Sequence, residues 1–309
     1  MSSLVGHDGV MTDFLSAMRS ARMHHGWLFV GPEGVGKATA AMALAKRLLC
    51  EAADPALPRD GLEVPAGHPI GKLVEAHTHP DFILLERLPK DLKAIRDVER
   101  RDWPTDIERA RNITIDQVRA LGSIFALTPT YSRSRVVLVD AIDDMERGAA
   151  NALLKSLEEP PQGTIFLLVS HAPGRLLPTI RSRCRSLRFG ALGEDAMRTA
   201  LQRTLPDIGD AELAALVAAG EGSPGRALSF AGLDLAKMED ALRSIALGGD
   251  ADNGIRAELA QSLSAKQAQR QYEAFLSRAP TFIAEQARLR QGAALTSAID
   301  AWSAARGLA

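Results

Sequence analysis

A glycine-rich stretch, GPEGVGKATA at residues 31–40, has the residue types of a phosphate-binding loop. Its glycines are Gly31, Gly34 and Gly36. In such loops the glycines let backbone N–H groups turn toward an anion, the lysine neutralises the terminal phosphates, and the next hydroxyl coordinates Mg²⁺. Lys37 matches the lysine, but the next residue is Ala38, which has no metal ligand. The stretch therefore indicates phosphate-binding ancestry without the usual metal ligand.

Thr39 carries the hydroxyl nearest to the missing ligand. Because one residue turns a helix by about 100°, Thr39 points in another direction and is a poor substitute. Two interpretations of the loop stay open at this point. In the first, ATP still binds through the glycines, Lys37 and Thr39. In the second, the loop is a glycine turn that joins a strand to a helix and binds nothing.

Asp140 ends the apolar run RVVLVD, where P-loop enzymes place the carboxylate that orients Mg²⁺. In ATPases of this class a glutamate follows and prepares the attacking water, whereas here the next residue is Ala141. Positioning and charge stabilisation supply most of phosphoryl-transfer catalysis. The loss of both the hydroxyl and the glutamate therefore predicts severely impaired ATP hydrolysis. Taken alone, Asp140 also fits a simple polar residue at a strand end.

Two arginines could act on phosphate groups. Arg183 lies in TIRSRCRSL, and an arginine delivered across a subunit boundary can raise the rate of phosphoryl transfer by on the order of 10³ to 10⁵. The alternative is a surface arginine in a basic run. Arg226 lies in GSPGRAL, on the first turn of a predicted helix, where it could contact a nucleotide phosphate or form an interdomain salt bridge. The neighbouring thiol of Cys184 fits a small buried side chain.

Alternating strands and helices must position these residues. Residues 27–30, 135–140 and 164–170 are short apolar runs without alternation, which is typical of strands buried on both faces of a parallel sheet. Helical spacing occupies residues 38–50 and 147–159. This order predicts a doubly wound α/β domain.

The rest of the chain has no strand pattern. After about residue 190 alanine and leucine dominate, and glycines and a proline interrupt the helical spacing between residues 220 and 225. We therefore predict an α/β domain at residues 1–189, a small helical domain at 190–232 and a second helical domain at 233–309.

Composition limits the class of protein. The 37 basic and 38 acidic residues leave a net charge of −1, which argues against a stand-alone nucleic-acid-binding protein. Neither Cys50 nor Cys184 belongs to a CxxC pair, and the two histidines of HTHPD have no third ligand nearby, so no metal site is predicted. Without a signal-peptide pattern or an apolar run of about 18 residues, a soluble cytoplasmic protein is expected.

Several blocks together resemble one protein family. GPEGVGKAT, RVVLVDAIDDM, NALLKSLEEPP, FLLVSHAPGRLLPTIRSRCR and GSPGRAL occur in the order and spacing of the AAA+ clamp-loader subunits of bacterial DNA polymerase III, and the similarity is greatest to the delta-prime branch. The resemblance covers residues 20–232. The blocks SRC and LLKSLEEPP are highly specific, whereas the glycine loop alone is not.

The resemblance implies a RecA-like AAA+ domain, a small helical lid and a C-terminal helical collar that joins a five-subunit ring. It places Arg183, within the Ser182-Arg183-Cys184 motif, in the ATP site of a neighbouring gamma/tau-type subunit. It also places Ser170 at the sensor position that monitors the γ-phosphate, and Arg226 at the lid sensor.

The function that this family implies is that of a stator, which helps to load the sliding clamp onto primed DNA during replication without hydrolysing ATP. The implied partners are gamma/tau-type and delta-type subunits, the sliding clamp, and primer-template DNA held by the assembled complex. The nucleotidyltransferase activity of the polymerase would belong to another subunit. The alternative is an ATP-hydrolysing AAA+ ATPase or a gamma/tau-type motor subunit.

One departure concerns a four-cysteine zinc module that relatives often carry after the first helix. Only Cys50 stands at its start here. We therefore expect no structural zinc and no required cofactor.

Overall fold

The computed structural model describes two compact units, Leu4–Ala191 and a second unit from Leu192 onward. It describes residues 4–20, 23–91, 98, 103, 107–233, 235–248, 250, 252–264 and 269–288. The first unit contains a five-stranded sheet, and the described part of the second unit is helical.

The sheet of the first unit is parallel throughout. Its strands are β1 Gly26–Val30, β2 Phe82–Glu86, β3 Arg135–Asp140, β4 Thr164–Ser170 and β5 Arg185–Arg188. Their order across the sheet is β2-β3-β4-β1-β5, so β3, β4 and β1 are flanked on both sides. Parallel neighbours need long crossover connections, which here carry helices. The predicted parallel α/β fold is therefore confirmed.

Helices cover both faces of the sheet. They are α1 Asp8–Met18, α2 Lys37–Ala53, α3 Pro69–Glu75, α4 Ile115–Arg119, α5 Leu121–Phe125, α6 Arg147–Glu158 and α7 Pro178–Arg181. One core cluster joins the sheet to the first three helices and includes Phe14, Trp27 and Leu44. A second cluster joins the sheet to the last four and includes Leu153 and Leu168. Both faces of the central strands are thus buried, which explains their continuous apolar sequences.

The connection between α2 and α3 is organised around a buried arginine. Arg47 Nε donates to Glu51 Oε1 at 2.5 Å, and its terminal nitrogens donate to the carbonyl oxygens of Glu63, at 2.7 Å, and of Pro58. Cys50 is fully buried beside them, and burial raises the pKa of its thiol to about 11. This guanidinium therefore ties α2 to two points of the proline-containing segment.

The second unit has its own core. Its helices are α8 Glu194–Thr204, α9 Asp210–Gly220, α10 Pro224–Ser229, α11 Leu235–Gly248, α12 Gly254–Ser264 and α13 Gln269–Arg288. Its core combines residues from both predicted helical domains, such as Leu201, Leu216, Met238 and Ala274. The division into lid and collar at residue 232 stays a prediction. In the described helices, no segment combines the length and apolarity that a membrane span requires.

Candidate functional site

The glycine loop lies where the sequence predicts it, between the carboxyl end of β1 and the start of α2. Gly31 has φ of 153° and Gly36 has φ of 103°, both in the region that favours glycine. A Cβ on Gly31 would also lie 2.1 Å from the carbonyl oxygen of Phe189, so no larger residue fits there. Gly34 likewise has a positive φ of 76°. The backbone geometry thus explains these three glycines whether or not an anion binds.

Lys37 turns back onto its own loop. Its Nζ donates to the carbonyl oxygen of Gly31 at 2.7 Å and to that of Pro32. The side chain is only 2% exposed, and this burial lowers its pKa to about 8, with partial opposition from the charges of nearby Asp140 and Glu33. The ammonium group of Lys37, which would bind a phosphate in a working loop, therefore donates to backbone carbonyl groups instead.

The ligands that a catalytic Mg²⁺ would need are missing from this loop. Ala38 replaces the usual hydroxyl, and Thr39 is an exposed residue rather than one turned into the site. Ala141, which follows Asp140, is buried and carries no carboxylate. The side chains present therefore do not fit a catalytic magnesium–nucleotide site. Among the described residues, no group of three or more His, Cys, Asp or Glu could hold a metal ion.

Asp140 lies at the carboxyl end of β3, as predicted. Burial raises the pKa of its carboxyl group, while the nearby charges of His171 and Lys37 act in the opposite direction. Since β1, β4 and β3 are neighbours and parallel, the glycine loop, Ser170 and Asp140 meet at the same edge of the sheet. The structure thus brings together these three predicted elements of a nucleotide site.

Asp143 is a residue that the sequence analysis missed at this edge. Its carboxylate accepts hydrogen bonds from Ser170 Oγ at 3.0 Å and from the backbone N–H groups of His171, at 2.6 Å, and Ala172, at 3.3 Å. The predicted sensor Ser170 is fully buried, and its hydroxyl group donates to a carboxylate of its own chain. The cluster of three aspartates in DAIDDM was the available signal.

Arg183 lies in the turn between α7 and β5, as part of the Ser182-Arg183-Cys184 motif. Its Nη1 donates to the carbonyl oxygen of Thr179 at 2.9 Å and to Ser182 Oγ at 3.4 Å. Its Nη2 forms an ion pair with Glu158 Oε1 at 2.9 Å. The side chain remains 34% exposed, so a partner can reach it.

Cys184 packs against the second core cluster rather than facing a reactive site. Burial raises the pKa of its thiol to about 12, which keeps the thiol protonated at neutral pH. Its Sγ lies 3.2 Å from the position that a Cβ would take on Gly26. These contacts support the interpretation of Cys184 as a small apolar side chain.

Arg183 lies on the side of the sheet where the strands begin, whereas the glycine loop lies on the side where they end. Residue 183 precedes β5, whose Arg185 pairs with Trp27 near the amino end of β1, while the loop follows the carboxyl end of β1 at Val30. At about 3.3 Å per residue, the five residues of β1 separate its two ends by roughly 13 Å. The motif arginine and the loop of the same chain therefore do not form one site.

Arg226 contacts residues of its own unit. Its guanidinium pairs with Glu221, and Nη2 lies 3.5 Å from Thr281 Oγ1 on α13. Its helix α10 begins at Pro224, and Ser223 caps it by accepting a hydrogen bond from the backbone of Arg226. The predicted contact of Arg226 with a nucleotide stays a prediction.

Comparison with known proteins assigns the chain to a family. The family model described as "DNA polymerase III, delta subunit" matches residues 6–193. The DNA polymerase III subunit delta' of Pseudomonas aeruginosa is 38% identical over 204 residues, which are 66% of this chain and 55% of that protein. The corresponding subunit of Bacillus subtilis is 32% identical over 192 residues, which are 62% of this chain and 50% of that protein.

A more distant relative carries a different subunit name. The gamma/tau subunit of DNA polymerase III from Mycobacterium bovis is 29% identical over 272 residues, covering 85% of this chain and 43% of that protein. The chain thus spans about half the length of the curated relatives that it matches. With the family model matching more than half of its residues, the chain belongs to the DNA polymerase III delta-subunit family, in its delta-prime branch.

Proposed function

We propose that this chain is a non-hydrolysing stator of the DNA polymerase III clamp loader, and that it supplies Arg183 to the ATP site of a neighbouring subunit. Its partners would be gamma/tau-type and delta-type subunits. The assembled complex would hold the sliding clamp and primer-template DNA. ATP hydrolysis in the neighbouring subunit, helped by Arg183, would then release the clamp onto primed DNA.

The degenerate loop supports the stator part of the proposal. Ala38 stands where a hydroxyl residue is usual, and Ala141 stands where a glutamate is usual. The chain therefore lacks two groups that position metal and water for phosphoryl transfer. Lys37 already binds carbonyl oxygens of its own loop. The proposal therefore requires no nucleotide, zinc or other cofactor in this chain, and ATP binding to the loop is not part of it.

The position of Arg183 is the observation that carries the proposal. The arginine is partly exposed, and it lies where the strands begin, whereas the glycine loop of its own chain lies where they end. An arginine there is too far from its own glycine loop to contact a phosphate bound in it, but it is accessible to the phosphate site of a neighbouring subunit. This geometry favours action across a subunit boundary.

Reconstitution with matching gamma/tau-type and delta-type subunits tests the proposal. We expect Arg183→Ala to lower DNA- and clamp-stimulated ATP hydrolysis, because the one site that Arg183 enters should lose on the order of 10³-fold in rate, the lower end of the effect of arginines acting in trans. Size-exclusion chromatography would show that the complex still assembles. Arg181→Ala is a matched control, because Arg181 is an exposed arginine two residues away.

Two results would contradict the proposal. Unchanged turnover by an intact Arg183→Ala complex would mean that this arginine has only a structural role. Steady ATP hydrolysis by the isolated chain, abolished by Lys37→Ala, would instead identify it as an ATPase in its own right.

A further inference from the structure

Glu158 contacts Arg183 from a different element of the first unit. It is the last residue of α6, and its Oε1 lies 2.9 Å from Arg183 Nη2. Its side chain is 48% exposed, so the pair lies at the surface. An exposed pair of this kind contributes little to folding stability, so an effect of Glu158 on catalysis can be measured without unfolding the chain.

The backbones of both partners are fixed by the start of β1. His25 Nε2 donates to the carbonyl oxygen of Leu157 at 3.0 Å, which holds the end of α6 beside the strand. Gly26 approaches the other partner, because a Cβ there would lie 2.9 Å from the carbonyl oxygen of Arg183. Two consecutive residues therefore contact the backbone next to Glu158 and the backbone of Arg183.

The contacts of the Arg183 guanidinium leave some of its N–H groups available as donors. A guanidinium carries five N–H groups, and the structure gives three contacts, to Thr179, Ser182 and Glu158. At least two N–H groups are left to donate to a ligand, and no described residue accepts a hydrogen bond from Nε. The side chain is thus oriented and still able to bind an anion.

We propose that Glu158 is a positioning residue, which orients Arg183 for the phosphate group of the neighbouring subunit. This inference rests on the proposed function of Arg183. A free arginine side chain must give up much rotamer freedom when it binds, and a carboxylate that fixes it beforehand removes part of that cost. The benefit appears in the transition state, where charge develops on the transferred phosphate.

The test measures kcat and KM for ATP in the complete complex with sliding clamp and primer-template DNA. We expect Glu158→Gln to lower kcat about two- to fivefold with an unchanged KM, because exposed ion pairs have coupling energies of that size. Glu158→Asp keeps the charge and should recover part of the loss. Glu159→Gln is the matched control, since it removes the same charge from the next, also exposed, residue and should leave kcat unchanged.

A double variant shows whether Glu158 acts through Arg183. In an Arg183→Ala background, Glu158→Gln should have no further effect on kcat. A wild-type or raised kcat in Glu158→Gln, or a loss that persists without Arg183, would overturn the inference. If Arg183→Ala itself leaves turnover unchanged, the proposed function fails first. If only Arg183→Ala reduces turnover, the proposed function stands and the role of Glu158 is refuted.

Discussion

The buried ammonium of Lys37 makes the stability of the first unit depend on pH. Its pKa is about 8 in the folded chain and 10.5 in the unfolded chain. Between these two values the unfolded chain holds a proton that the folded chain has released. Stability contributed by this residue therefore rises as pH increases from about 8 to about 10.5.

A comparison with Lys37→Met isolates this effect, because methionine fills similar space and has no ionisable group. The free energy of unfolding of the wild type, minus that of Lys37→Met, should increase across that pH range in urea titrations without nucleotide. Lys46→Met provides the control, since Lys46 is a partly exposed lysine on the same helix that pairs with Glu75. A pH-independent difference would show that Lys37 is not buried as described.

The residues at the loop could be predicted because their types and spacing are local. Gly31 follows an apolar run, Lys37 stands six residues later in the glycine loop, and Asp140 ends an apolar run. The carboxyl ends of parallel strands meet on one side of the sheet. Asp143 and Glu158 were missed because their roles depend on partners 27 and 25 residues away, Ser170 and Arg183. Such contacts arise only when separate elements pack, and no sequence spacing encodes them.

A buried side chain of α2 bonds directly to the segment between α2 and α3. Arg47 is 1% exposed and bonds to Glu51 and to two carbonyl groups of the segment. Arg47→Met would leave these acceptors without their donor, and we expect a loss of roughly 2–4 kcal/mol in the free energy of unfolding. The segment at residues 54–68 should also become more sensitive to proteases.

Urea unfolding and limited proteolysis check this expectation. Lys46→Met again serves as the control, because the exposed pair of Lys46 with Glu75 should contribute less than about 1 kcal/mol. Equal stability and equal protease resistance of the two variants would show that the segment is ordered by other contacts.

The three strands that were predicted, β1, β3 and β4, each have a neighbouring strand on both sides and read as continuous apolar runs. β5 is an edge strand with the sequence RSLR, in which only Leu187 is buried, so it resembled a surface loop. Exposed edges tolerate polar residues, and the apolar signal weakens there. β2, at the other edge, was also not predicted, although its sequence FILLE is an apolar run.

The described residues form two compact units with separate cores, and the predicted division of the second unit at residue 232 stays a prediction. The helices on either side of residue 232 share one core cluster, which includes Leu201 and Met238. Helical periodicity identifies the apolar face of each helix but not the helix that it packs against. For this reason, the packing of these helices against one another could not be read from the pattern.

Separate cores predict that destabilisation stays largely within one unit. Leu153 on α6 and Leu201 on α8 are both fully buried helical leucines, one in each unit. Replacement of either by alanine should cost about 2–5 kcal/mol. Native-state hydrogen exchange with mass spectrometry should show faster exchange chiefly at residues 4–191 for Leu153→Ala, and chiefly beyond residue 192 for Leu201→Ala. Equal acceleration in both units by either variant would mean that the chain opens as one cooperative structure. The stator proposal would then need the whole chain, rather than the first unit alone, to keep Arg183 in place.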